Sequence, residues 1–126
     1  MAGALTRNNA IFSIASSADL TDKEGFAVEL ESDKVELWDG TGEVFGVILD
    51  GETTAGMNTI ASLAGASGTV KVKLSGTVAL GAHLKVVSGG TFVTHTSTLD
   101  VAAVAMESGT DTELIEAALV TGFTNV

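Results

Sequence analysis

Two groups of side chains in this sequence have the residue types that bind metal ions. Residues 39–43, DGTGE, offer oxygen ligands of the kind that calcium takes, but they lack the alternating acids and distal glutamate of an EF-hand loop. His83 and His95 are the only histidines, and they lie on the two arms of a predicted hairpin. Two histidines without a third ligand are a weak zinc site. We therefore interpret residues 39–43 as a turn and the histidines as surface residues.

Groups for covalent or phosphate chemistry are also sparse. Cysteine is absent, which removes thiol chemistry and disulfides. Residues 40–42, GTG, are too short to cradle a phosphate and precede neither a lysine nor a predicted helix. No nucleophile elbow surrounds a serine. We predict a protein that is not an enzyme and that uses no cofactor and no metal ion. An acid–base pair assembled in a cleft is the enzymatic alternative, which only a structure can reveal.

The elements that hold these residues are organised around residues 34–47, which carry the only tryptophan, Trp38. Val35 and Leu37 alternate with polar residues, which is the period-two pattern of a strand with one buried face. The two glycines that follow can take positive φ, so the chain can reverse and continue as a second strand. Tryptophan packs in cores and at subunit contacts, and we name Trp38 as a candidate subunit contact.

Length and composition limit the fold class. A chain of 126 residues, 45% hydrophobic and with 15 glycines, is typical of one domain of short strands and tight turns. Its net charge of −10 repels phosphate backbones, which argues against nucleic-acid binding. No apolar run is long enough to span a membrane, and no signal peptide is recognisable. We therefore expect no nucleic-acid partner and no membrane partner.

Alternating patterns predict the remaining strands. The clearest is residues 69–75, where Val70, Val72 and Leu74 would face inward and the two lysines would face outward, blunting a sheet edge if the strand lies at one. Residues 84–87 and 91–95 flank a Gly-Gly turn and predict a hairpin. Further strands are predicted at residues 26–31, 99–107 and 113–120; residues 57–64 fit a helix or a strand, and residues 16–25 a turn with one helical turn. No strong internal repeat is visible.

These patterns predict a mainly β fold: a compact single-domain β-barrel or β-tulip of short antiparallel strands with at most one or two short helices. An extended N-terminal arm precedes it. Residues 1–18 contain Arg7 and no acidic side chain, whereas the rest of the chain carries every carboxylate. We therefore divide the chain into a flexible arm, residues 1–18, and a β domain, residues 19–126. The apolar run 10–14 in the arm can pair as a strand with its own sheet or with a neighbour's.

Several stretches together resemble the decoration proteins, or head cement proteins, of tailed phages. Residues 35–41, VELWDGT, followed by residues 46–49, GVIL, are similar to a strand, turn and strand of the lambda-like decoration proteins. Residues 9–14 and 18–20, followed by residues 26–28, resemble the start of the broader cement group. Residues 51–68 depart from the pattern as a longer connection. The resemblance covers most of the chain and lies in the order of short pieces.

The resemblance implies a virion protein on the outer surface of the capsid, made in the host cytoplasm. It implies a homotrimer at threefold and quasi-threefold positions that cements neighbouring capsomers, with the phage major capsid protein as its partner. The implied capsid-binding residues lie in the arm: Arg7, Asn9, Ile11, Phe12 and Ile14. The alternative function is a receptor- or glycan-binding β module of a phage fibre or surface protein, although one tryptophan and no tyrosine supply little recognition surface.

Overall fold

A computed structural model describes residues 11–54, 56–62, 69–96 and 101–119, and these ranges contain ten strands and no helix. The strands are β1 (Ile11–Ile14), β2 (Ala27–Glu31), β3 (Lys34–Leu37), β4 (Gly46–Asp50), β5 (Asn58–Ser62), β6 (Thr69–Lys73), β7 (His83–Val86), β8 (Phe92–Thr94), β9 (Ala103–Ala105) and β10 (Leu114–Leu119). Within these ranges no helix is available to cross a membrane. The predicted mainly β, compact single domain is confirmed.

The strands form two antiparallel sheets of five, in the orders β1-β5-β4-β2-β3 and β6-β10-β9-β7-β8. Neither sheet closes into a barrel, so that part of the predicted fold is wrong. The edges of each sheet touch, but in the described residues they share only one isolated bridge, Ser16 with Val35 in the first sheet and Leu74 with Phe92 in the second. A barrel needs a ladder along the whole edge, and these edge strands are too short to provide one.

The two sheets are two copies of one topology. Each uses five consecutive strands in the spatial order first, fifth, fourth, second, third. In both, a parallel bridge joins the end of the first strand to the third strand. We call residues 11–62 the first repeat and residues 69–119 the second repeat. In the first sheet, Val28 pairs with Gly46; in the second sheet, Leu84 pairs with Ala103. Leu84 is therefore the counterpart of Val28, and Ala103 the counterpart of Gly46, so the paired strands of the two copies correspond residue by residue.

Backbone hydrogen bonds outside the strands repeat as well. In the first repeat, Leu20 N–H donates to Glu52 O (2.9 Å), Gly25 N–H to Ile48 O (2.8 Å) and Phe45 N–H to Val28 O (2.8 Å). The equivalent bonds of the second repeat, in the same order, run from Val78 N–H to Gly109 O, from Gly81 N–H to Ala105 O and from Ala102 N–H to Leu84 O, all at 2.8 Å. Gly25 and Gly81 also share a left-handed backbone, with φ of 88° and 86°. The likeness therefore extends to the loops.

The repeats fill their interiors differently. In the first repeat, Phe12 and Phe45 meet edge to face with ring centroids 5.2 Å apart, and they pack with Phe26 on the buried aliphatic cluster of that sheet. The register and the matching loop bonds place Val70, Ala82 and Ala102 at the equivalent positions of the second repeat. The interior of the second repeat instead forms one continuous cluster with Ala27, Val47 and Ala61 from the first sheet. The two repeats therefore share a core.

Backbone contacts lock this junction. Lys73 N–H donates to Gly25 O at 2.9 Å, and Ala27 N–H donates to Gly90 O at 2.7 Å. A Cβ on Gly25 would lie 2.8 Å from the Lys73 nitrogen and 2.4 Å from Leu114 Cδ2, so the two chain segments approach closely only because residue 25 has no side chain. The junction is thus set by backbone geometry as well as by apolar packing.

Most predicted elements are confirmed. Residues 57–64 contain strand β5, residues 113–120 contain β10, and the Gly-Gly turn joins β7 to β8 with positive φ at both glycines. Strand β6 lies at a sheet edge, and Val72 within it and Leu74 directly after it are buried, as predicted. Residues 16–25 contain turns but no helical turn. The two strands that flank the turn at 39–43 are not neighbours, because β2 lies between β3 and β4.

The two equivalent glycines predict a difference in stability. Gly81→Ala should lower the free energy of unfolding by about 1–2 kcal/mol, the cost of the left-handed backbone alone, since a Cβ added there would meet nothing within 4 Å. Gly25→Ala incurs the same cost and a clash with the Lys73 backbone, so we expect a loss of roughly 3 kcal/mol or more. Urea unfolding of both variants measures the difference. Equal losses would show that the junction does not depend on Gly25.

Candidate interaction surface

The structure places part of the predicted arm inside the domain. Strand β1 pairs antiparallel with β5, so Ile11–Ile14 already has a partner strand within the chain. Phe12 and Ile14 are half-buried against the first-sheet cluster, whereas Ile11 is 45% exposed. Strand β1 therefore belongs to the first sheet, and the division of the chain at residue 18 stays a prediction. Arg7 and Asn9 lie outside the described residues.

A buried polar side chain holds the end of β1. Asn58 is fully buried; its Nδ2 donates to Ile14 O at 3.0 Å, and its Oδ1 accepts from Glu52 N–H at 2.7 Å. Beyond the strand, Val35 N–H donates to Ala15 O at 3.0 Å. A buried asparagine that satisfies its groups in this way fixes one arrangement of the neighbouring backbone. In the sequence, Asn58 is recognisable only as an asparagine at the start of an apolar run, so its structural role was not predicted.

Trp38 lies at the junction between the repeats. Its backbone N–H donates to Ala27 O at 3.1 Å, and its carbonyl accepts from Gly89 N–H at 2.8 Å. The half-buried indole packs against the shared core, and its buried Nε1 finds no hydrogen-bond partner in the described ranges. The contact that the structure gives Trp38 is thus within the chain. Contact with another subunit stays a prediction.

The side chain of Asp39 is hydrogen-bonded within the turn that follows Trp38. The Asp39 carboxylate accepts hydrogen bonds from the Thr41 backbone N–H and from Thr41 Oγ1, both at 2.9 Å. These bonds lower the pKa of Asp39, the backbone bond most. Gly40 and Gly42 have φ of 101° and 78°, as the turn requires. The interpretation of residues 39–43 as a turn is confirmed.

The histidines come together as the hairpin predicts, since His95 N–H donates to His83 O at 2.7 Å. The carboxylates that approach one another are elsewhere. Glu29, Glu31 and Glu36 face each other across β2 and β3, with ligand oxygens within 4.8 Å. These three glutamates do not stand out in the sequence, although two alternating acids opposite a third are visible once β2 and β3 are paired. Exposed acidic groups of this kind are common without an ion.

The glutamate cluster perturbs its central member. Hydrogen bonding with Glu29 is the largest cause that raises the pKa of Glu36, to about 7, followed by desolvation and by the bond and charge of Glu31. The neighbouring carboxylates of Glu29 and Glu31 thus favour the protonated form of Glu36. This arrangement makes the folded state sensitive to pH near neutrality.

Charge is divided unevenly between the repeats. Residues 11–62 contain eleven acidic and two basic side chains, a net charge of −9, whereas residues 69–119 contain five and three, a net charge of −2. The acidity of the protein therefore belongs to its first repeat. A partner that approaches the second repeat meets little net repulsion.

No protein-family model and no curated protein sequence matches the chain. Among solved structures, the chain is similar to the crystal structure of the N base of head fiber gp8.5 from bacteriophage phi29. The TM-score is 0.55 and the sequence identity 16%, over 92% of this chain and 96% of that chain. At this identity the likeness shows a shared fold, and it extends over nearly the full length of both chains.

The glutamate cluster predicts a pH dependence of stability. Because Glu36 keeps its proton in the folded state up to about pH 7 but loses it near pH 4.5 when unfolded, the folded state binds more protons between these values. The free energy of unfolding should therefore fall as the pH rises from about 4.5 to 7. Glu36→Gln should flatten this slope and be more stable than wild type above about pH 7, in urea titrations at several pH values.

A matched charge removal serves as the control. Glu43 is an exposed glutamate outside the cluster, and Glu43→Gln should keep the slope of the wild type. A slope that survives Glu36→Gln unchanged would show that the cluster does not titrate as described.

Proposed function

We propose that this protein is a structural component of a phage virion, located on the outside of the head. The observation that carries the proposal is the fold shared with the phi29 head fiber base over almost all of both chains. Fold alone does not determine function. The proposal is supported further by the resemblance of residues 35–41 and 46–49 to phage decoration proteins, which rests on sequence and not on the fold.

The chemistry of the surface agrees with a binding role and not with catalysis. The Asp39 carboxylate is satisfied by its own turn, and the one group of three potential metal ligands in the described residues is formed by Glu29, Glu31 and Glu36. A hydrolase would need an acid, a base and a nucleophile that converge in a cleft. The clustered glutamates lie on strands, in a group of one charge sign, which offers no complementary acid–base pair.

We propose that the protein cements neighbouring capsomers as a homotrimer whose arms bind the major capsid protein. The arm consists of residues 1–10, with Arg7 and Asn9, because Ile11–Ile14 belongs to the sheet. Ten residues reach at most about 35 Å when extended. They precede β1, which is an edge strand of the first sheet.

Binding through an arm favours several copies acting together. Ordering a flexible segment costs on the order of 2–5 kcal/mol, so one arm binds modestly. Three arms on one trimer would raise avidity by roughly 10²–10⁴. The single positive charge of Arg7 distinguishes the arm from the acidic first repeat, which lets it contact a surface that repels the domain.

A glycan- or receptor-binding module of a fibre is the second candidate, since the solved neighbour is itself the base of a head fiber. Such a module needs an exposed aromatic platform, and the one tryptophan is half-buried at the junction between repeats. Binding on a glycan array without binding to heads would favour this candidate over the cement function.

Truncation tests the arm. A chain lacking residues 1–10 should keep β1, fold as wild type by circular dichroism and fail to co-sediment with phage heads. A chain lacking residues 1–16 should instead be destabilised, because it loses β1 with Phe12 and Ile14 and the bond from Asn58. Full head binding by the shorter truncation would refute the role of the arm. Failure of the intact chain to bind heads would refute the cement function.

A further inference from the structure

The outer faces of the two sheets differ in burial: a row of residues that is buried on the first sheet is more exposed at the equivalent positions of the second sheet. In the first sheet, the strand register sets Ala61, Val47 and Ala27 side by side, followed by Trp38, and this row lies against the interior of the second repeat. The same register in the second sheet sets Ala118, Val104 and His83 side by side, followed by His95. The two rows are equivalent positions on the outer faces of their sheets.

The equivalent rows differ in what covers them. Ala27 and Val47 have no exposed surface, whereas Val104 and Ala118 are half-buried and His83 is exposed. The glycines beside the rows show the same difference. A Cβ on Gly25 would collide with Lys73 and Leu114 of the second repeat, but a Cβ on Gly81 would meet nothing within 4 Å. Among the residues that the structure describes, none therefore covers the outer face of the second sheet as the second repeat covers its counterpart.

Exposed apolar side chains extend this uncovered face. Met106 projects from the end of β9 on the same side as Val104 and is 50% exposed. Leu80 precedes Gly81, whose N–H donates to Ala105 O, so residue 80 lies beside the end of β9 in the backbone, and its side chain is 68% exposed. Contiguous exposed apolar groups rimmed by polar residues mark interaction sites.

The rim of this face carries charges of both signs. Lys71 Nζ lies 3.6 Å from Glu107 Oε1 and 3.7 Å from Glu116 Oε1. Lys85 is exposed on strand β7 of the same sheet. Two copies of such a rim can face each other with lysines opposite glutamates. The first repeats, at −9 each, would repel each other strongly if they formed the contact instead.

We propose that copies of this chain associate through the outer face of the second sheet, centred on Val104, Met106 and Ala118 and extended by Leu80. The second repeats lie around the symmetry axis and the acidic first repeats point away from it. The contact does not copy the junction within the chain, because the first repeat fills its own interior with Phe12 and Phe45 and has no place for another sheet. The inference supplies the surface for the self-association in the proposed function, and it rests on that part alone.

Sedimentation velocity of the purified full chain, without heads, tests the inference. Wild-type protein should form an oligomer as its concentration rises, and Met106→Glu and Leu80→Glu should each weaken association at least tenfold. Leu30→Glu is the matched control, because Leu30 is 50% exposed, like Met106, but lies in the first repeat. It should associate as wild type. A wild-type monomer at about 100 µM, or equal effects at positions 30 and 106, would overturn the inference.

Cross-linking gives a second measurement that does not add a charge. The chain has no cysteine, so Met106→Cys introduces a single thiol on the proposed face and Leu30→Cys a single thiol elsewhere. A short bis-maleimide should join copies through position 106 and not through position 30. Absence of cross-linking at 106 would overturn the inference. Head binding is measured separately, so a monomer that still binds heads would refute this surface and leave the virion function standing.

Discussion

The contact between the outer face of the first sheet and the interior of the second makes one domain from two repeats. It uses small side chains, since Ala27, Val47 and Ala61 form a flat surface on which the second repeat can close. Gly25 removes the remaining obstacle, and backbone hydrogen bonds from Lys73 and Ala27 fix the separation. Interiors pack at crystal-like density, so a larger side chain at any of these places would force the repeats apart. The second repeat has no large aromatic set of its own in the described residues to fill its interior, and it depends on this contact.

Local patterns in the sequence were sufficient for most strands. Alternation at residues 69–75 predicted both the strand and its buried side chains, and the Gly-Gly turn predicted the hairpin of β7 and β8. These elements are defined by neighbours in the chain, so short windows contain the information. The segment 113–120, which propensity alone allows as a helix, contains strand β10 because residues 114–119 pair between β6 and β9.

Long-range features were not accessible from the sequence. The repeat is hidden because equivalent interior positions keep their burial but not their residue type: Phe12 corresponds to Val70, Val35 to Phe92, and Asn58 to Ile115. The pairing of β1 was left open because a short apolar run pairs equally well with its own sheet or with another protein's sheet, and only the partner strand β5 decides between them. The barrel failed for a similar reason, since closure depends on the length of edge pairing and not on local pattern. Of the candidate site, the sequence predicted the turn and the nearness of the histidines, while the glutamate cluster and the exposed face needed the strand pairing.

The two repeats carry different residues at equivalent positions of their outer faces, which indicates that the two faces have different roles. The register places Glu29 where the second repeat has Lys85, and Glu36 where it has Val93, both on outer faces. Because the two scaffolds are the same, these differences do not follow from the fold, and each sheet must meet a different environment. The part of the first sheet's outer face that carries the three glutamates lies beyond the row that the second repeat covers, and a partner could not bury it without neutralising its charge. The second sheet has Lys85 and Val93 at the positions of Glu29 and Glu36, so its outer face has no such barrier. The two sheets of one topology thus present opposite chemistry, and the side that can approach another protein is the second.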